Sequence, residues 1–272
     1  MTNNKPRLRI EIPTTRRGID NREAYRKFVE EGDKTSEASD EGTRTNQRNV
    51  TSLTEHWEIP NVEYGNGIYK VNLAKSLLDN GNAKTQADWI EYSKQAKQNG
   101  DFYVGDMALQ YSMFRVLSLQ NTQEAFEARD FIKRQMKEKW LVTTTRLKYN
   151  PKGKYEVVHD YETPSELKVE VDLVGPDRFI ETNDSNALEA LLLDKDVDRV
   201  NNVFNFINGT NAYIWRVNGK PKKMDERVAR FGAGSDWASL NCYRLPDGVD
   251  SSLGVFAVFE DGNARGQEKG AK

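Results

Sequence analysis

The chain of 272 residues contains one cysteine, Cys242, which excludes an internal disulfide and any cysteine-cluster metal site. Its default setting is therefore a reducing, intracellular one. Histidine is nearly as scarce, with only His56 and His159, far apart in sequence. Imidazole is the commonest transition-metal ligand and general base, so this scarcity argues against metal-assisted hydrolysis and against a histidine-based triad. Carboxylates remain as acid–base groups, and no cofactor and no metal are expected. No apolar run approaches the ~20 residues of a membrane-spanning helix, and the opening Met1-Thr-Asn-Asn-Lys-Pro-Arg7 has no apolar signal core. An excess of one charge is missing too: 40 basic and 42 acidic residues leave a formal charge of −2. Such a balance gives no electrostatic footprint for nucleic acid or an anionic membrane.

The last absence is local. From Phe231 to Phe259 there is no Lys, Glu, Gln or Met, in a chain otherwise rich in them. A surface that must stay soluble usually carries Lys and Glu, whereas one built of Tyr, Trp, Ser, Gly, Asp and Asn has the composition of a binding face.

Along the chain, residues 1–55 read as a polar arm too poor in apolar surface to offset its ordering entropy. Within it, Arg7–Pro13 alternates like a strand and Asn21–Glu31 could form a short helix. Residues 56–140 read as a small helical region. Val71–Leu78 is taken as a short helix stopped at Asp79-Asn-Gly81. Thr85-Gln-Ala-Asp88 caps a helix carrying Trp89, and Tyr103–Leu119 and Thr122–Trp140 show apolar helical faces. At Leu141 the texture changes. Leu141–Tyr149, Tyr155–Tyr161, Leu167–Leu173 and Tyr213–Val217 read as strands, the last followed by a turn at Asn218-Gly219, while Leu188–Leu193 and Val197–Ile207 read as helices. Residues 141–262 thus form an α+β domain, with a disordered tail at 263–272.

In the final segment, Ala238, Leu240 and Cys242 share one face of a two-residue period, and Trp237, Ser239, Asn241 and Tyr243 share the other. The first set should face a core; the second suits an exposed recognition strand. Leu245 and Val249 are aliphatics in a loop that would otherwise be polar. Leu253–Phe259 is continuously apolar and fits a central strand buried on both faces. Trp237, Tyr243 and Leu245 are compatible with core packing as well as with display.

The order Arg227-Val-Ala-Arg230, then Gly232-x-Gly-Ser-x-Trp237, then Arg244-x-Pro246 and Ser251-x-Leu-Gly-Val255 resembles the C-terminal signature of the C-type-lectin fold. More narrowly it resembles the formylglycine-generating-enzyme branch and, within it, the variable proteins of diversity-generating retroelements. Tyr213-Ile-Trp-Arg-Val-Asn218 is similar to archaeal members. The likeness covers residues 211–259 well and the stretch from 141 loosely. In that family a reverse transcriptase copies a template repeat with adenine mutations into the 3′ end of the gene. Asparagine codons ending in a pyrimidine cannot then yield Lys, Gln, Glu, Met or Trp, and residues 231–250 contain none of these except Trp237. The resemblance implies a non-enzymatic protein that binds a macromolecular ligand, expected to be a protein. It places the variable positions at Phe231, Gly232, Gly234, Trp237, Ser239, Tyr243, Leu245, Asp247, Gly248 and Val249, with Asn241 next, on a scaffold including Ser235, Asp236, Pro246, Leu253 and Gly254.

Other activities associated with the fold find no support in these residues. The formylglycine-generating oxidase uses paired cysteines, and the sulfoxide-forming iron enzymes use three histidines. Calcium-dependent sugar binding needs polar side chains around a proline, where this chain has Leu245-Pro-Asp247. A carboxylate enzyme using Asp236 or Asp247 and a structural attachment subunit remain as rivals. Asp194-Lys-Asp-Val-Asp198 is read as a helix start rather than a calcium loop, and Cys242 as an inert core thiol.

Overall fold

The computed structural model describes residues 55–164, 166–172, 175–217 and 221–260, and these fall in one compact unit. The expectations for the arm before residue 55, for the turn at Asn218-Gly219 and for the tail at 263–272 lie outside the described residues. The fold is α+β.

Two strands open it: β1 (His56–Tyr64) and β2 (Gly67–Leu77), antiparallel, with Tyr64 opposite Gly67 across a two-residue turn in which Gly65 has φ +56°. This corrects the expected helix at Val71–Leu78. Val71 and Leu73 are buried at strand spacing against Ile59 and Trp57, and a far segment closes the sheet. That segment is the last strand of the chain, Leu253–Phe259, which runs antiparallel along β2. The first-described and last-described strands therefore share one three-stranded sheet, and a sheet spans the boundary anticipated at residue 140. The last strand is also not the doubly buried central strand expected. Among the described residues it is an edge strand, buried from Leu253 to Val255 and exposed at Val258 and Phe259.

Three helices follow. Helix α1 (Gln86–Asn99) begins where Thr85 Oγ1 accepts from the Asp88 amide and ends at Gly100, whose φ of +67° suits glycine. Helix α2 (Met107–Leu119) starts later than the sequence suggests. Tyr103 exchanges backbone hydrogen bonds with Val255, and Asp106 caps the helix by accepting from Leu109 N. Helix α3 (Gln123–Glu138) is capped by Thr122. Next come β3 (Leu141–Tyr149), β4 (Tyr155–His159), β5 (Leu167–Val171) and β6 (Arg178–Phe179), then α4 (Ser185–Leu192) and α5 (Val197–Asn208). The chain ends with β7 (Ala212–Trp215), β8 (Asp225–Ala233), β9 (Ala238–Arg244) and β10 (Leu253–Phe259). Strands β3 to β9 form a seven-stranded sheet in the order β5-β4-β3-β8-β9-β7-β6, antiparallel except for the β7–β9 pair. The acidic run near residue 196 opens α5: Asp196 caps it, while Asp194 pairs with Arg199 and accepts from the Tyr111 hydroxyl.

One face of this sheet carries Phe231, Leu240, Ala238, Cys242 and Leu147 into the main core. There Phe231 meets Phe114 of α2 at 5.3 Å and Phe204 of α5 at 6.1 Å between ring centroids. Full burial of each such side chain contributes about 1.5–3 kcal/mol. On the opposite face, Val142 and Val228 pack with Trp89 of α1 and with Leu78 and Phe102 in a smaller cluster. A register shift between Val142 and Arg146 interrupts the β3–β8 ladder, and the Gln86 amide donates to the carbonyls of Thr143 and Thr145 there.

The two sheets are stitched together at residues 250–252. Val142 N donates to Ser251 O, Ser252 Oγ donates to Val142 O, and Leu78 N donates to Ser252 O. Beside them the buried Asp250 carboxylate accepts from Arg230 Nη1 at 2.7 Å and from Arg244 Nε at 3.1 Å. Its backbone carbonyl accepts from Trp89 Nε1 at 2.8 Å and from Lys84 N. Removing one partner of a buried charge pair leaves the other uncompensated. Asp250→Ala is expected to destabilise the fold by about 3–5 kcal/mol, measured as a lower urea midpoint at unchanged slope.

Candidate functional site

Strand β9 lies between β8 and β7, so the registers of its two neighbours fix what shares its outward face. Ser239 stands opposite Gly232 and beside Tyr213; Asn241 stands opposite Arg230 and beside Trp215; Tyr213 in turn stands opposite Phe179 of β6. Trp237 and Tyr243 continue the same alternation at the two ends of β9, about 20 Å apart at ~3.3 Å per residue. The outward set read from sequence is thus on one face, and β6 and β7 add three aromatics to it. Phe179, Tyr213, Trp215 and Trp237 form a continuous row, with successive ring centroids at 5.2, 4.7 and 5.9 Å.

Small residues beneath the rings explain how the row sits. A Cβ on Gly232 would lie 2.4 Å from the Trp140 ring, and one on Gly234 would lie 2.7 Å from the Trp237 ring. The Arg230 guanidinium also packs on Trp140, 4.0 Å from its ring centroid. Beneath this aromatic layer Gly232, Ser239 and Asn241 are buried, although they lie on the sheet face away from the main core. Display at these three positions is corrected accordingly: the face is outward, but they form its floor. The Ser239 hydroxyl is buried without a hydrogen-bond partner. Asn241 Oδ1 accepts from Tyr243 N.

Phe231 requires the larger correction. It belongs to the inward set and is fully buried among Phe114 and Phe204, so it faces the helices and not a ligand. The parity of β8 decides this, since Phe231 pairs with Leu240 across the ladder. Cys242 lies on the same inward face, and burial pushes its thiol up to about 12, as expected of an inert core thiol.

The exposed members are Tyr243 at 53 % and Leu245 at 49 %, together with Asp247; Ser235 and Asp236, expected as scaffold, are exposed as well. Gly234, Trp237, Gly248 and Val249 are half-buried. Tyr243 rests on the Arg227 guanidinium at 4.8 Å, and Arg227 is fixed by Asp225 at 2.8 Å and by the Tyr243 carbonyl. The loop after β9 is anchored by Arg244, which reaches both Asp250 and the Val249 carbonyl. A Cβ at Gly248 would lie 2.1 Å from Arg244 Nε, so this anchor and a side chain at 248 exclude each other. At the opposite border, Asp184 ties β6 to the segment after β7 by accepting from Arg178 and Arg216. Burial alone would raise the Asp184 carboxyl, but the hydrogen bonds from Arg178, Glu181 N and Arg216 outweigh it and hold the group below its ordinary range.

Sequence reasoning missed Phe179, Tyr213 and Trp215. Two aromatics at a spacing of two in Tyr213-Ile-Trp215 were the available signal, since both must leave a strand on one side. Phe179, in a two-residue strand, offered none.

No protein-family model, no curated protein and no solved structure matches this chain.

The floor of the face separates two kinds of substitution. Gly232→Ala must displace Trp140 and is expected to cost about 1–3 kcal/mol. Ser239→Ala removes an unpartnered hydroxyl and is expected to be neutral or slightly stabilising. Thermal denaturation of the two variants side by side checks both signs.

Proposed function

We propose that this chain is a binding module, a ligand-binding variable protein of the diversity-generating-retroelement kind, with a C-type-lectin fold of the formylglycine-generating-enzyme branch. Its ligand is macromolecular, and the mixed aromatic and small-polar chemistry of the face favours protein. The observation that carries the reading is the row Phe179–Tyr213–Trp215–Trp237, with Trp215 buried within it, on a sheet face continued by Tyr243; the stretch from Phe231 to Phe259 that supplies Trp237 and Tyr243 has no Lys or Glu. Aromatics give large contact area for little rotamer entropy, and Ser, Gly, Asp and Asn around them give adaptable hydrogen bonding.

The division of labour supports the same reading. Asp250, Arg230 and Arg244 hold the backbone from within, so Tyr243, Leu245 and Asp247 can change without touching that network. Trp237 and Tyr243 are the energetic anchors, with Leu245, Asp247 and Val249 as changeable surroundings. Asp236 and Asp247, which an enzymatic reading would use, are exposed on separate loops, one before β9 and one after it.

Two measurements test the proposal. The genomic neighbourhood should hold a template repeat matching the codons of residues 231–250 except at adenines, together with a reverse transcriptase; absence of both would remove the diversification claim. Against a partner recovered by affinity capture, Trp237→Ala and Tyr243→Ala should each weaken binding by about 2 kcal/mol, roughly 30-fold in Kd. Unchanged affinity in both variants would refute the assignment of this face.

A further inference from the structure

A cavity of about 350 Å³ lies away from the aromatic row, between the β1–β2 turn, the start of α2 and the residues after β4. None of the residues of the proposed binding face lines it. Its walls are the rings of Tyr64, Tyr69 and Tyr103, and its polar groups are Lys97, Asp106 and Asp160. Leu109 and Ala257 add apolar surface. The volume is at the lower end of the ~300–1,000 Å³ typical of small-molecule sites.

The charges in this cavity are not arranged symmetrically. Lys97 Nζ is 2.7 Å from Asp160 Oδ2 and 4.7 Å from the Tyr103 ring centroid, so its charge is already matched. Asp106 is buried, and its carboxylate accepts from the Leu109 amide at 2.8 Å and from the Tyr64 hydroxyl. Both are neutral donors. The nearest basic atom, His159 Nδ1, is 3.8 Å away. Both ring nitrogens of His159 are engaged by other groups: Nε2–H donates to the Ala190 carbonyl at 2.8 Å, and Nδ1 shares a hydrogen bond with the Thr145 hydroxyl at 3.0 Å, whose oxygen also accepts from Met107 N. Among the described residues no Lys or Arg side chain pairs with Asp106. Burial, helped by the neighbouring Asp160 carboxylate, pushes its carboxyl above the ordinary range, which His159 and the hydrogen bonds from Tyr64 and Leu109 only partly offset.

We infer that this cavity binds a small organic cation, an alkylammonium about the size of butylamine or choline. The head group would sit beside the Asp106 carboxylate and against the rings of Tyr64 and Tyr69, which meet edge to face with centroids 6.0 Å apart. The chain supplies its own precedent beside it, because Lys97 is an alkylammonium held by one aspartate and one tyrosine ring. Ring faces attract cations through their quadrupole, and a desolvated carboxylate gains most from a cation that sheds its water easily. Anions would meet two carboxylates against one lysine that is already paired. An uncharged apolar guest would leave Asp106 uncompensated.

The test is calorimetric titration of the full chain at roughly 0.15 M salt with butylammonium, with choline and with 3,3-dimethylbutanol, the uncharged isostere of choline. Saturable binding of a cation, with the alcohol at least ~10-fold weaker, is the expected result. Asp106→Asn should reduce cation affinity at least ~10-fold while the melting temperature holds, since Asn caps a helix as well as Asp. If that variant melts early, Tyr69→Ala decides instead, and it should weaken the cation at least ~3-fold. Equal affinity for the alcohol, undiminished binding in the deciding variant, or no saturation by either cation up to about 10 mM would overturn the inference. Trp237→Ala leaves this binding unchanged, so its outcome is separate from that of the proposed macromolecular face.

Discussion

The buried carboxylate of Asp250 is the constraint on which the rest of the architecture depends. It holds a guanidinium from β8 and another from β9, while its own backbone carbonyl receives the Trp89 indole and the Lys84 amide. Three stretches of chain, Lys84–Trp89, β8 and the end of β9, are thereby fixed to one residue at the point where the polypeptide leaves the seven-stranded sheet for the three-stranded one. Two buried charges are costly unless both are well paired, and here each is met at hydrogen-bond distance. The loop between Arg244 and Asp250 is consequently irregular in path yet tied at both ends. Such a loop can present side chains without its backbone depending on them.

A second constraint sets the outer face. Glycine at 232 and 234 lets indole rings lie directly on the backbone, and the cation of Arg230 packs on the Trp140 ring. Large rings over small residues give a flat, stiff, partly apolar surface, in which ordering on contact costs little. The proposed binding role follows from that surface and from the separation between positions that hold the backbone and positions that do not. The tyrosine-lined cavity is a different kind of place, concave and charged, on elements the outer face does not use.

Much of the secondary structure was legible in the sequence. The capping at Thr85, the strand Leu141–Tyr149 and the helix from Val197 appear as anticipated, because each has a local signal: a side-chain cap, β-branched alternation, or an amphipathic stripe. The failures share a cause. Val71–Leu78 has no decisive local period and becomes a strand because β10 arrives beside it from 180 residues later. Leu253–Phe259 looks doubly buried, yet lies at a sheet edge, because away from β2 it meets only the isolated bridge to Tyr103 among the described residues. Of the candidate face, the alternation of β9 assigned Ala238, Leu240 and Cys242 inward correctly. Phe231 went astray because its side depends on the β8–β9 register, which the sequence does not print.

The sequence by itself determined which residues could make a binding surface, since composition and two-residue alternation are local properties of the chain. Its single cysteine also determined that no internal disulfide can form. Only the tertiary structure decided that Phe231 is core, that Ser239 and Asn241 are a floor and that Phe179, Tyr213 and Trp215 complete the row. Strand register and sheet order bring those residues together across tens of positions, and no local rule encodes which neighbour lies across a ladder.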